Sequence, residues 1–359
     1  MKEVKLMKGN EAIAEAAIRA GADGYFGYPI TPQSEVLEYL MSQKPHERTG
    51  MVVLQAESEV AAINMVYGGA ATGKKVMTSS SSPGISLKME GISYMAGAQL
   101  PCLIVNVVRG GPGLGTIQPS QSDYFQATKG GGHGDYRLFV LAPASVQEMA
   151  DFVKQGFDLA FKYRNPVMIL SDGIIGQMME KVELEEQQPR LTQAEVVKKC
   201  PWATTGKTPD RERNIITSLD LEASKQELHN KVLQEKYEKM EEDVRFETFN
   251  CDDAEYIFIA YGSVARICQK AIDIARSKGI KVGLLRPITL FPFPSKKVAE
   301  LATKVKGMMS VEMSAGQMVE DVKLAVNGKI PVEFYGRMGG MIPSPEEIVR
   351  ALKNQLIGG

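Results

Sequence analysis

The chain has 359 residues, too many for one ordinary hydrophobic core and enough for two that each bury most of their apolar surface. Its 42 Lys and Arg nearly balance 43 Asp and Glu, a net charge of -1 that argues against nucleic acid or an anionic membrane as the main partner. Cys102, Cys200, Cys251 and Cys268 show no C-x-x-C spacing, so neither a disulfide framework nor a zinc or iron–sulfur ligand set is expected here. The start MKEVKLMKGN has no signal-peptide core and no run approaches a membrane span, so a cytoplasmic protein is expected.

In chain order, the spacing of Ala12, Ile13, Ala16, Ala17 and Ala20 predicts a helix over 10–20, capped by Asn10 and ended by Gly21. A strand over 24–27 leads into the turn GYPITPQSE (27–35). There Pro29 and Pro32 fix φ and hold Ile30 and Thr31 on a stiff bridge into a helix over 33–43. Such a turn at the end of a strand is where α/β sheets place ligands; a rigid connector whose Thr31 caps the next helix is the plainer alternative. Strands over 51–54, 75–79, 102–108, 138–141 and 167–170 then alternate with helices over 58–72, 84–98 and 145–161, the mark of a parallel sheet covered on both faces. The stretch 109–137 has no clear period and reads as a long loop, either functional or disordered.

From 183 to about 253 the composition turns polar and charged, with Trp202 isolated in a PWATTG turn. A helix over 218–244 is expected to lie across a domain or a second subunit through Leu221, Leu228, Val232, Tyr237, Met240 and Val244. Alternation resumes with strands over 256–260, 281–285, 307–311 and 332–335, and helices over 264–277, 295–304 and 317–326. A last helix follows Ser344-Pro345-Glu346-Glu347, which supplies a cap, an N1 proline and an acidic first turn.

GGAATGKK (68–75) has the glycine spacing of a phosphate loop, but it has lysine where magnesium needs Ser or Thr, and it leads from helix into strand rather than the reverse. GGPGLG (110–115) likewise opens a loop with no helix after it. Glu57 and Glu59 begin an apolar helix; they either complement its dipole or, if one faces apolar neighbours, hold or share a proton. The serine run with Pro83 and Gly84 (79–84) suits an anion or a helix cap. Arg109 ends the strand 102–108 at the same rim as Thr31, where its fork suits a carboxylate, and His133 is read as a loop residue.

The ordered set GYPITPQSE, ESEVAAINMVYGGAATG, SSSSPGISLKMEGI, VVRGGPGLG, QSD, GGHGD and LLRPITLFPFP resembles the alpha subunit of 2-oxoacid:ferredoxin oxidoreductases, nearest the branched-chain (2-oxoisovalerate) subfamily and then the 2-oxoglutarate subfamily. The resemblance implies two doubly wound α/β domains: a thiamine diphosphate pyrimidine-binding domain over 1–190 and a transketolase-C-like domain over 254–359, joined by a charged linker with a helix over 191–253. It places Glu59, with Pro29 and Ile30, at the cofactor, and Thr31 and Arg109 at the substrate. It implies CoA-dependent oxidative decarboxylation of a 2-oxoacid with electrons passed to ferredoxin. SSSPG in place of a common TSGPG, and Glu57-Ser58-Glu59 in place of an acid-Asp-Glu, are departures from close relatives. No G-D-G motif with a downstream Asn pair is found, since Ser171-Asp172-Gly173 lacks the asparagines, so half an active site is expected here. A companion subunit is then expected to hold the diphosphate and Mg2+, and gamma-type and ferredoxin-like subunits the iron–sulfur clusters. A 2-oxoglutarate- or pyruvate-specific member of the same family, or a non-catalytic assembly subunit of such a complex, is the rival reading.

Overall fold

The computed structural model describes residues 3–207, 209 and 211–358. Fourteen strands are described: β1 Glu3–Lys8, β2 Gly24–Gly27, β3 Val52–Gln55, β4 Val76–Ser80, β5 Cys102–Val108, β6 Phe139–Leu141, β7 Pro166–Asp172, β8 Met179–Leu184, β9 Phe246–Phe249, β10 Tyr256–Ile259, β11 Val282–Pro287, β12 Thr289–Phe291, β13 Gly307–Glu312 and β14 Val332–Gly336. One sheet has the order β12-β6-β7-β5-β4-β2-β3, a second the order β14-β13-β10-β11-β9, and β1 pairs with β8 alone. Both sheets are parallel except for β12 and β9, which pair antiparallel. The expected class, two doubly wound α/β layers, is therefore what the chain forms.

CLIVNVV and PVMILSD are buried along their whole length, as strands in the middle of a sheet covered on both faces must be. Helices Gly9–Arg19 and Val146–Tyr163 pack on one face of the first sheet, and helices Glu59–Ala71 and Ser82–Gly97 on the other. In the phosphate-loop-like stretch, Gly69 lets the helix approach Val76, and Gly73 (φ +76°) lies against Val196, Cys200 and Ala203. Those glycines serve packing. The chain order reverses between β2 and β4, a switch point of the kind where doubly wound sheets bind ligands. Pairing of these two strands is confined to Gly24↔Val76 and Tyr25↔Met77, so their C-terminal ends splay apart.

Several elements differ from the sequence reading. Lys8, not Asn10, is the N-cap of the first helix; Asn10 is fully buried and turns its amide to the 27–35 turn instead. β1 and β8 look polar one by one and become strands only by pairing with each other. The linker helix spans Ala223–Lys239 and buries Leu233 and Tyr237, a stripe that Met240 continues in the 3-10 turn Met240–Asp243 directly after it. Leu228 and Val232 stay exposed because they fall on the other face, and Leu221 is exposed in the segment before the helix. Trp202 is half-buried with the Arg164 guanidinium 4.5 Å over its ring. No helix among the described residues is long and apolar enough to cross a membrane.

The loop after Arg109 joins the two layers. Gln121 donates to Tyr261 O (2.9 Å) and accepts from Met313 N (3.0 Å), and Tyr124 Oη donates to Asp321 (2.5 Å). Asp172, at the end of β7, accepts from Ile174 N, Ile175 N and Ser263 Oγ, which gives the buried carboxylate a structural task. Arg286 on β11 is 3% exposed; it grips Glu148 of helix Val146–Tyr163 with two bonds (2.7 and 2.8 Å) and Glu247 of β9 with a third (3.0 Å). Removing one member of such a buried pair strands the other. Arg286→Met is expected to lower stability by about 2–3 kcal/mol, less than for a fully buried pair because Glu148 reaches solvent, as read by thermal or urea unfolding. A change under about 0.5 kcal/mol would show that the bridge does not join the layers.

Candidate functional site

The 27–35 turn is clamped from beneath. Asn10 Nδ2 and Gln177 Nε2 both donate to Pro32 O (2.7 and 3.0 Å), and the same two amides and Lys8 hold the Glu35 carboxylate. Burial alone would raise the Glu35 pKa, but the hydrogen bonds from Gln177 and Asn10 carry it below the ordinary value. The Thr31–Pro32 peptide is cis. Gln33 is fully buried, bonded to Tyr28 O and to Ser79 Oγ, which also meets Tyr25 Oη in the gap between β2 and β4. Pro29 and Thr31 are therefore exposed on a fixed platform, with Ile30 half-buried between them.

Ser58 caps helix Glu59–Ala71 by accepting from Ala61 N (3.1 Å), which leaves Glu59 as its first helical residue. Of the two acids, Glu57 is exposed, and Glu59 is 7% exposed with no hydrogen-bond partner among the described residues. Its position depends on Gly84: a Cβ there would lie 2.7 Å from Glu59 Oε1 and 2.1 Å from Ser80 Oγ. The serine run divides as a strand requires. Ser79 faces β2, Ser80 faces Glu59, and neither Ser80 Oγ nor Ser81 Oγ, both buried, finds a partner within the chain.

Ser82 opens helix Ser82–Gly97, and its Oγ both accepts from Arg109 N (3.1 Å) and donates to Arg109 O (3.2 Å). Arg109, 8% exposed, donates from Nη1 to Thr31 O (3.0 Å) and from Nη2 to Leu114 O (3.1 Å), while its buried Nε has no partner. Thus Glu59, Arg109 and Thr31 do meet at one rim, through Gly84 and Ser82. Asp123 joins them, accepting from Asn106 Nδ2 (2.9 Å). Burial raises the Asp123 pKa, against hydrogen bonds from Asn106 and Ser82. Beneath the rim Lys88, fully buried, donates to Thr78 Oγ1 (3.2 Å). Burial pushes its pKa down to about 8, with Glu59 pulling it back up.

Asp123 and Lys88 escaped the sequence reading. QSD was noticed as a motif without a task, and Lys88 was given none within SSSSPGISLKMEGI. The spacing Gly84, Lys88, Gly91, Met95, one buried stripe, was the signal that it faces inward. His133 lies apart, 3.5 Å from Ser93 and edge-on to Tyr94, in a cleft of ≈570 Å³ roofed by the linker helix. A further cleft of ≈650 Å³ beside β8 contains none of the rim residues.

The rim yields two tests. Gly84→Ala is expected to destabilise the chain by about 1–3 kcal/mol through overpacking, and Ser80→Ala in the same chain to restore most of it by removing the nearer clash. Additive losses in that mutant cycle would show that the two groups do not press on each other. Asp123, with its folded-state pKa above the unfolded value of about 3.9, adds stability that is complete below that pH and lost as pH rises through the folded value. Asp123→Asn should therefore gain in melting temperature over the native chain as pH rises from about 4 to neutrality. A difference that stays level across that range would rule out a raised carboxyl.

A profile described as pyruvate flavodoxin/ferredoxin oxidoreductase, thiamine diphosphate-binding, matches residues 15–245, and one described as pyruvate:ferredoxin oxidoreductase core domain II matches 254–348. The ketoisovalerate oxidoreductase subunit VorB of Methanothermobacter marburgensis is 51% identical over 97% of both chains. The 2-oxoglutarate synthase subunit KorA of Methanocaldococcus jannaschii is 36% identical over 98% of this chain and 99% of its own. The solved 2-oxoglutarate:ferredoxin oxidoreductase from Magnetococcus marinus, with 2-oxoglutarate, coenzyme A and succinyl-CoA bound, is similar with a TM-score of 0.85 at 28% identity, over 99% of this chain and 66% of that one. A split-gene transketolase (TM-score 0.60, 13% identity) shares the fold alone. With its profiles covering both layers, the chain belongs to the thiamine diphosphate-binding family of pyruvate flavodoxin/ferredoxin oxidoreductases.

Proposed function

We propose that this chain is the pyrimidine-binding subunit of a 2-oxoacid:ferredoxin oxidoreductase that converts a branched-chain 2-oxoacid, 2-oxoisovalerate, to its acyl-CoA and CO2. The observation that carries the reading is the Glu59 carboxylate, buried at the switch point without a partner beside orphaned Ser80 and Ser81 hydroxyls. Those donors and acceptors fit the polar edge of an aminopyrimidine, and they come together because Gly84 carries no side chain to keep them apart. Thiamine diphosphate, when bound, supplies the carbanion chemistry of decarboxylation. Glu59 shares a proton with the aminopyrimidine nitrogen, and Pro29 and Ile30 form the platform beside it.

Arg109 and Thr31 hold the substrate. The guanidinium is fixed by two backbone carbonyls, so its remaining N–H groups need no reorganisation to meet a carboxylate. Ile30 precedes Thr31 in the chain, and Leu114, whose carbonyl accepts from Arg109, has an exposed apolar side chain; residues of this kind suit an aliphatic 2-oxoacid better than one with a second carboxylate. The half-identical ketoisovalerate relative supports the same choice. Mg2+ and the diphosphate end are assigned to a companion subunit, and the iron–sulfur clusters to gamma-type and ferredoxin-like subunits that pass electrons to ferredoxin. Coenzyme A comes to this reading through the similar Magnetococcus marinus enzyme. Residues 1–190 are taken as the pyrimidine-binding domain, 191–253 as linker and 254–359 as the transketolase-C-like domain.

In the assembled complex, Glu59→Gln is expected to slow hydrogen–deuterium exchange at thiazolium C2 by at least about a hundredfold while leaving assembly intact. Native exchange rates would remove Glu59 from the role. The same complex should turn over 2-oxoisovalerate with the higher kcat/KM, and a preference for 2-oxoglutarate would overturn the substrate assignment.

A further inference from the structure

The motif QSD (121–123) has no task in the reading above, and its place in the fold gives it one. Residues 109–119 form a hairpin that leaves the end of β5 at Arg109 and returns at Pro119. Gly110 N donates to Gln118 O (2.9 Å), Thr116 N donates to Gly110 O (2.8 Å), and Arg109 Nη2 donates to Leu114 O (3.1 Å), so a carbonyl of the hairpin holds one side of the guanidinium. Residues 112–115, 117 and 118 are exposed, so burial of its own side chains does not fix the hairpin. Its two ends must. On the outgoing limb Ser82 Oγ is bonded to both backbone groups of Arg109. On the returning limb Gln121, 2% exposed, turns both backbone groups and both ends of its amide to the second layer. Its N donates to Met313 O (2.8 Å), Oε1 accepts from Met313 N (3.0 Å), Nε2 donates to Tyr261 O (2.9 Å) and its O accepts from Tyr261 Oη (3.3 Å). The segment that receives them is itself fixed, since fully buried Glu312 accepts from Ser314 Oγ and from the N–H groups of Gln317, Met318 and Val319. Gln317 then brackets the rest of the motif, donating to Ser122 O (2.7 Å) and accepting from Phe125 N (2.8 Å).

We propose that Gln121 is a positioning residue for Arg109: it pins the returning limb of the hairpin to the second layer and so sets where the guanidinium stands when the carboxylate of a 2-oxoacid arrives. The inference rests on the reading of Arg109 as the cation that holds the substrate. Gln121 lies two residues after Pro119, which faces Arg109 across the hairpin, so a shift of its backbone reaches Arg109 through that bridge and through Leu114 O. Removing the Gln121 amide leaves Met313 N and Tyr261 O, on two buried residues, without these partners, and such a joint opens to water rather than closing up. Displacing an aligning group by about 1 Å costs about a hundredfold in rate at the upper end.

The test is made in the assembled complex with 2-oxoisovalerate, or with 2-oxoglutarate should that be turned over faster. Gln121→Met keeps the length of the side chain and removes its two bonds to the second layer. It is expected to lower kcat/KM at least about tenfold, chiefly through a raised KM, while exchange at thiazolium C2 stays within about twofold of native, because Glu59 is held by other elements. In an Arg109→Lys background the same change is expected to add less than about twofold, since the group it places is already altered. Full additivity overturns the proposal, and so does C2 exchange that falls in step with kcat/KM, which would mean general damage. Arg286→Met loosens the two layers away from the hairpin and is expected to keep the native KM; an equal rise there overturns the proposal as well. Should Gln121→Met fail to assemble, Ser120→Ala, which removes the bond from Ser120 Oγ to Met313 O on the same limb, decides by the same measurements with an expected loss of about threefold. Native kinetics in Arg109→Lys would remove the substrate role of Arg109. Hydrogen–deuterium exchange over residues 109–119 then judges the pin alone, faster exchange in Gln121→Met supporting it and unchanged exchange overturning it.

Discussion

Helices Glu59–Ala71 and Ser82–Gly97 approach each other through two glycines, and the rest of the rim follows from that approach. A Cβ at Gly84 would collide with Ser80 and Glu59, and one at Gly91 would collide with Ile63. Without side chains there, the two helix starts come close enough to bury a carboxylate that would otherwise face water. The same helix start brings Ser82 to the backbone of Arg109, and Arg109 reaches Thr31 across the splayed ends of β2 and β4. One close helix contact thus sets the relative positions of three side chains that lie far apart in sequence.

Rigidity at this rim comes from its supports. The turn carrying Thr31 is tied by Asn10 and Gln177 to the first helix and to the segment after β7. The loop after Arg109 is tied by Gln121, Tyr124 and Ser120 to the second layer at Tyr261, Asp321 and Met313. Polar side chains make nearly all of these ties, which is why a loop of that composition is ordered without an apolar core of its own. Groups held this way need little reorganisation when charge develops near them.

The strand–helix alternation and the shared rim of Arg109 and Thr31 were legible because each rests on local pattern: period, breakers, and the ends of strands that all run one way; Glu59 was set with them only by the family resemblance. What was illegible rests on distant partners. EVKLMK and MEKVEL read as polar segments, and become strands because each supplies the other's missing hydrogen bonds. Thr289–Phe291 follows an expected strand of the second layer yet pairs with β6 of the first, a crossing that no local period encodes. The burial of Lys88 is intermediate: its stripe of Gly84, Gly91 and Met95 was readable, but a lysine on an apolar stripe is normally assumed to reach water. Glu57 and Glu59 are told apart in the fold by the capping of Ser58, which turns one acid out and the next one in.

The two cations near the rim differ in kind, and their depths match the difference. Arg109 keeps its charge under any physiological condition and has donors enough to satisfy Thr31 and Leu114 while others remain. It therefore suits the surface where an anion arrives and leaves. Lys88 lies a layer deeper, where burial brings its pKa down to about 8, with Glu59 acting in the opposite direction. An arginine in that place would impose a fixed charge and need a wider set of acceptors than Thr78 provides. The guanidinium at the rim is thus held by two backbone carbonyls, and the ammonium beneath it by a single hydroxyl in a setting that disfavours its charge.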